Sequence, residues 1–138
     1  MSDQKLDALA ATPLFASCNK KQLKLIGSVT DRVDLPAGHV LVRHGTIPSE
    51  MYMLITGSAT VEVDGKEVAT IGAGEVVAEL SMVDGGQASA TVTMTEAGEA
   101  WVIRRSGFIP VWEQNPDIST ALLLAVVARL KARNELIL

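Results

Sequence analysis

Between Thr60 and Val68 the chain alternates strand-forming residues on either side of Asp64-Gly65, a pair that accepts the positive φ of a two-residue hairpin turn. A tight hairpin follows, and the middle of the chain reads as antiparallel sheet. Further runs rich in Val, Thr and Ile lie at Gly38–Arg43, Met51–Ile55, Ala88–Thr95 and Glu99–Arg104, punctuated by Pro36-Ala37-Gly38, Gly45, Gly57 and Gly72-Ala73-Gly74. The pattern predicts about eight short strands, spaced as in a closed or sandwiched antiparallel sheet. Helical periodicity flanks them. One helix is expected over Asp3–Ala11 and a second from Ser17 or Asn19, with Pro13 between them and Leu23 and Ile26 on one face. After the strands come Gly107–Gln114 and Asp117–Leu136, broken at Asn115-Pro116. In the last helix Leu123, Val126, Val127, Leu130 and Ile137 form an apolar stripe opposite Arg129, Lys131, Arg133 and Glu135. That stripe is expected to dock onto the sheet, and the helix is long enough to pair with its copy in a homodimer.

With 138 residues, of which 48% are hydrophobic, the chain has material for one domain with a sizeable core. Phe, Trp and Tyr make up only 4%, so the core must be aliphatic, and base-stacking platforms for single-stranded nucleic acid are disfavoured. Twelve basic and sixteen acidic residues give a net charge of −4, which repels phosphate backbones on average and disfavours non-specific nucleic-acid binding, and no direct DNA binding is expected. Cys18 is the single cysteine, so no internal disulfide forms and a reducing, cytoplasmic setting is expected. The opening residues lack a basic region followed by an apolar run, so no secretory signal is expected. The longest apolar run, Ala121–Ala128, falls far short of the roughly 20 residues that cross a bilayer, so no membrane association is expected.

The segment Gly74-Glu75-Val76-Val77-Ala78-Glu79-Leu80-Ser81-Met82-Val83-Asp84-Gly85-Gly86-Gln87-Ala88-Ser89-Ala90-Thr91-Val92 resembles the phosphate-binding cassette of cyclic nucleotide-binding domains. Leu35-Pro36-Ala37-Gly38, Met51 to Gly57 and the helices at either end extend the resemblance over nearly the whole chain, towards the sensor domain of the catabolite-activator family. The resemblance implies a mainly β fold with flanking helices: a jelly-roll-like double-stranded β-helix, or β-roll, over 29–105 with its cassette at 74–92. Helices would occupy 1–28 and 106–138 of a single domain. It implies a non-enzymatic regulatory domain binding cyclic AMP, ahead of cyclic GMP, with no cofactor and no metal. A short helix over Glu79–Val83 would aim its N–H groups at the cyclic phosphate. Glu79 would accept a hydrogen bond from the ribose 2′-hydroxyl, and Ser89 would add a hydroxyl near phosphate or base. Leu80, Ser81 and Ala90 would surround the sugar-phosphate with small or apolar groups and backbone amides.

Two positions depart from the family pattern. Where the family has Pro-Arg, this chain has Gln87-Ala88. The arginine of the family pairs with the exocyclic phosphate oxygens, and losing one partner of such a buried pair costs about 3–5 kcal/mol, or roughly 10²–10³-fold in affinity. Arg43, Lys66, Arg104 and Arg105 are the cations that could replace it from neighbouring strands. The second departure is Ala78, in place of the cassette glycine, which is harmless at negative φ. If nothing replaces the arginine, the alternative is a domain that binds no nucleotide and acts as a protein-interaction or dimerisation module.

Other chemistries fit less well. Gly38, His44, Glu50 and Gly57 have the spacing of a cupin metal motif, but Thr46 stands where its second histidine belongs and no histidine follows His44. His39 and His44 are therefore read as loop or strand-surface residues. There is no Gly-x-Ser-x-Gly elbow, and Cys18 has no evident pairing with a histidine. No helix-turn-helix is evident within these residues, so DNA binding by them is not expected.

Overall fold

Strand gives way to helix where the sequence loses its alternation, and the computed structural model, which describes residues 3–134, has eight strands between two helical segments. They are β1 (Thr30–Leu35), β2 (Val40–Val42), β3 (Glu50–Leu54), β4 (Ser58–Val63), β5 (Lys66–Ile71), β6 (Val76–Val77), β7 (Thr91–Glu96) and β8 (Gly98–Arg104). The helices are α1 (Asp3–Ala10), α2 (Lys20–Gly27), α3 (Ser81–Asp84), α4 (Arg105–Gln114) and α5 (Pro116–Asn134), with a 3-10 turn at Pro13–Phe15. Two four-stranded antiparallel sheets result, in the orders β1-β8-β3-β6 and β2-β7-β4-β5. This is the jelly-roll-like β-roll that the resemblance implies.

The hairpin forms where it is expected. Asp64 and Gly65 carry φ of 52° and 76°, both positive as a two-residue turn between right-twisted strands requires. Asn19 caps α2 reciprocally with Gln22: each side chain accepts the other's backbone N–H, at 2.9 and 2.8 Å. Pro116 opens α5 at a position where a missing N–H costs nothing.

Side-chain alternation divides the core in two. On β3, Met51 and Met53 face the helices while Tyr52 and Leu54 face the second sheet; β8 repeats this with Ile103 on one side and Ala100 and Val102 on the other. Three layers follow: helices, then the β1-β8-β3-β6 sheet, then the β2-β7-β4-β5 sheet. A strand buried on both faces needs no polar alternation, and Met51–Leu54 has none. At the far end of the roll the β3–β4 turn lies against the β7–β8 turn. There Ile55 N–H donates to Glu99 O at 2.8 Å, and Glu99 N–H donates to the Thr56 hydroxyl at 3.0 Å.

Several expectations need correction. The strand expected over Ala88–Thr95 begins only at Thr91, because Ala88 is held in the preceding loop: its N–H donates to Thr46 O at 2.8 Å and its carbonyl accepts from Gly45 N–H at 2.9 Å. The cassette helix is one turn, Ser81–Asp84, rather than Glu79–Val83, and ends at Gly85, whose φ of 62° stops it. Helix α5 packs chiefly on the Pro13–Phe15 turn and α4 rather than on the sheet. Its buried face is Ile118, Ala121, Leu122 and Ala125, whereas Leu123, Val127 and Leu130 of the expected stripe are exposed. Ala121–Ala128 is apolar all round, so periodicity alone cannot choose which face goes inward. The helix end expected at Leu136, the stripe position Ile137 and the polar position Glu135 lie outside the described residues, as does the side chain of Arg133. Among the described residues no helix is long and apolar enough to cross a membrane.

Candidate functional site

The cassette segment closes over the β2-β7-β4-β5 sheet and leaves a cavity of about 340 Å³, within the range of small-molecule sites. Its lining includes Val42, Pro48, Val77 and Val92 and, from the cassette, Leu80, Ser81, Asp84, Gln87 and Ser89. Six of the seven expected site residues, Ala78, Leu80, Ser81, Ala88, Ser89 and Ala90, line it. The loop is fixed in place by the Ala88 hydrogen bonds to residues 45 and 46. Asp84 Oδ1 accepts the Gly86 N–H at 2.7 Å, closing a side-chain turn just after α3.

Glu79, the seventh, does not line the cavity. Its carboxylate, 13% exposed, is held from two other elements. Arg129 Nη1 of α5 donates to Oε1 at 2.9 Å, and the Leu14 N–H of the 3-10 turn donates to Oε2 at 3.2 Å. Arg129 was expected on the polar side of α5; it instead extends the inward row Ile118, Leu122, Ala125 by one more turn. Continuing that row at helical spacing is the one sequence signal that points to it. In this conformation Glu79 joins the cassette to the helical layer rather than facing a ligand.

None of the four substitute cations lines the cavity. Arg105 comes nearest the cassette helix, donating Nε to Ser81 O at 3.2 Å and lying against Gly85. Arg104 leans toward Glu50 at 3.6 Å, while Arg43 and Lys66 are exposed. Among the described residues, Asp84 is the only ionisable one in the lining. His39 and His44 are both exposed. Elsewhere burial and the negative Glu50, whose Oε1 accepts the Tyr52 hydroxyl at 3.1 Å, hold the Tyr52 phenol well above its usual range, so it stays a neutral donor.

Ala78 has φ of +65°, so the negative φ that would make this departure harmless is not met. An alanine in the left-handed region is strained by about 1–2 kcal/mol, partly offset by the greater chain entropy of glycine. Ala78→Gly is therefore expected to stabilise the domain by about 0.5–1 kcal/mol, read from the midpoint of urea unfolding; a lower midpoint would mean that contacts made by the methyl group outweigh the strain.

The family model described as "Cyclic nucleotide-binding domain" matches residues 32–115. The Pycsar effector protein PaPycTIR of Pseudomonas aeruginosa is 29% identical over 121 residues, covering 87% of this chain and 39% of that protein. The N-terminal domain of a transcriptional regulator from Streptomyces coelicolor A3(2) superposes with a TM-score of 0.81 at 29% identity, covering 94% of this chain and 96% of that one. The regulatory domain of Toxoplasma gondii PKA, solved with cAMP, gives 0.71 at 25% identity, over 80% and 44% of the two chains. The chain thus spans about two-fifths of the length of PaPycTIR.

Proposed function

Because the chain belongs to the cyclic nucleotide-binding domain family, we propose that it is a non-enzymatic regulatory domain whose cassette cavity receives cyclic AMP weakly, ahead of cyclic GMP. The observation that carries this reading is the convergence of six cassette residues on one cavity of small-molecule size. Weakness follows from a wall with no cation to neutralise the cyclic phosphate. Coupling follows from Glu79. Its carboxylate is held off the cavity wall by Arg129 and Leu14, so drawing it to a ribose hydroxyl would pull it from Arg129, release α5 and shift the C-terminal helices. Calorimetric titration with cyclic AMP and cyclic GMP tests the proposal: heats fitting a dissociation constant near the millimolar range are expected, and no heat with either at millimolar ligand refutes it.

A second reading is favoured by one specific observation, the exposed row Leu123, Leu124, Val127 and Leu130 on α5. Side chains at this spacing suit a helix pair between two copies of the chain, and they support dimerisation through α5 whether or not a nucleotide binds. Sedimentation is expected to give concentration-dependent self-association that weakens roughly tenfold or more in Leu130→Glu. A monomer at every concentration refutes it. The net charge of −4 argues against direct contact with DNA in either case.

A further inference from the structure

The charge on the cavity wall bears on what the cavity prefers. Among the described residues Asp84 is its only ionisable lining residue, and Arg43, Lys66, Arg104 and Arg105 all lie off the wall. A cyclic phosphate bound there would bring a negative charge towards the exposed Asp84, with Arg105 lying against Gly85 rather than on the wall, and like charges at short range repel to a degree that salt screens. An ionised carboxylate is also an acceptor only, so its favourable partners are donors. Cyclisation converts the 3′ and 5′ oxygens of ribose into phosphate esters and leaves a single hydroxyl donor. An uncyclised nucleoside has three and no charge. Ser81 and Ser89 beside Asp84 can donate or accept to match them, while Val42, Pro48, Val77 and Val92 offer an apolar wall to a base.

We infer that this cavity selects an uncharged nucleoside over the cyclic nucleotide, with Asp84 as the discriminating residue. The inference rests on the reading of the cavity as the ligand site of the domain. Adenosine and cyclic AMP share a base and differ in what meets Asp84, so they form the test pair in calorimetric titration of the whole chain. Adenosine is expected to bind roughly tenfold tighter or more, and added salt should tighten cyclic AMP, by screening the repulsion, while leaving adenosine unchanged. Asp84→Asn, which keeps an oxygen for the Gly86 N–H, should improve cyclic AMP, weaken adenosine and narrow the ratio. Cyclic AMP binding as tightly as adenosine to the unaltered chain, or a ratio unmoved by Asp84→Asn, overturns the inference and leaves the ligand site standing. Failure of both ligands to bind at millimolar concentration removes the ligand site as well.

Discussion

Ala88→Arg is expected to raise the affinity for cyclic AMP at least roughly tenfold, as measured by calorimetry. Ala88 lines the cavity, and its backbone is held by hydrogen bonds to Gly45 and Thr46. A long side chain there begins from a fixed point at the cavity wall. The guanidinium supplies the charge-assisted, bidentate partner that the cavity lacks. The full value of such a pair, roughly 10²–10³-fold, should not be recovered, because Asp84 on the same wall will take part of the new charge. For the same reason the substitution should do little for adenosine, which carries no phosphate. If cyclic AMP affinity stays flat, charge is not what limits binding. The limiting factor is then geometric: the left-handed backbone at Ala78, or a Glu79 that Arg129 does not release.

Gly98→Ala is expected to destabilise the domain by about 3 kcal/mol or more, lowering the thermal midpoint by roughly 10 °C. A Cβ at this position would meet the Thr56 carbonyl carbon at 2.5 Å and Gly57 Cα at 2.7 Å. Both are backbone atoms, so no rotamer change relieves the contact. The β3–β4 turn would have to move away from the β7–β8 turn, breaking the paired hydrogen bonds between Glu99 and residues 55 and 56. Gly72→Ala is the matched control: nothing lies within 4 Å of its added methyl group, and its midpoint should barely change. Equal midpoints for the two variants would mean that the turns separate easily, and that the far end of the roll is not a point of stability.

Local demands were the ones the sequence made readable. Asp64-Gly65 announces its hairpin because positive φ is required at two adjacent residues, and Asn19 announces a helix start because Gln22 follows three residues later. The cavity wall is readable for a similar reason: nine of its residues, six of them expected site residues, fall within thirteen positions of one motif, from Ala78 to Ala90. What was not readable depends on distant partners. Glu79 and Arg129 lie fifty residues apart, and no spacing rule joins a cassette loop to a terminal helix. Periodicity does not fix the inward face of α5, because the run Ala121–Ala128 offers burial in every direction; the choice is made by the core it joins, Phe108, Leu14 and their neighbours. The wall charge lay between these cases. Asp84 reads from sequence as part of an ordinary turn, and it is one, but the turn also places it in the lining of the cavity.

The packing of α4 gives the domain an optical reporter. Trp112 stands with its ring centroid 5.4 Å from that of Phe108 and shares a largely apolar groove with Leu122, Leu123 and Val126 of α5. The other tryptophan, Trp101, lies on β8 between the charged groups of Lys5 and Arg32, at 5.9 and 5.5 Å from its ring, away from that groove. A displacement of α5 would change the solvation of one indole and leave the other in a constant setting. The emission spectrum of the unlabelled chain therefore carries both the signal and its internal standard, and the position of the terminal helix can be followed in real time without attaching a dye.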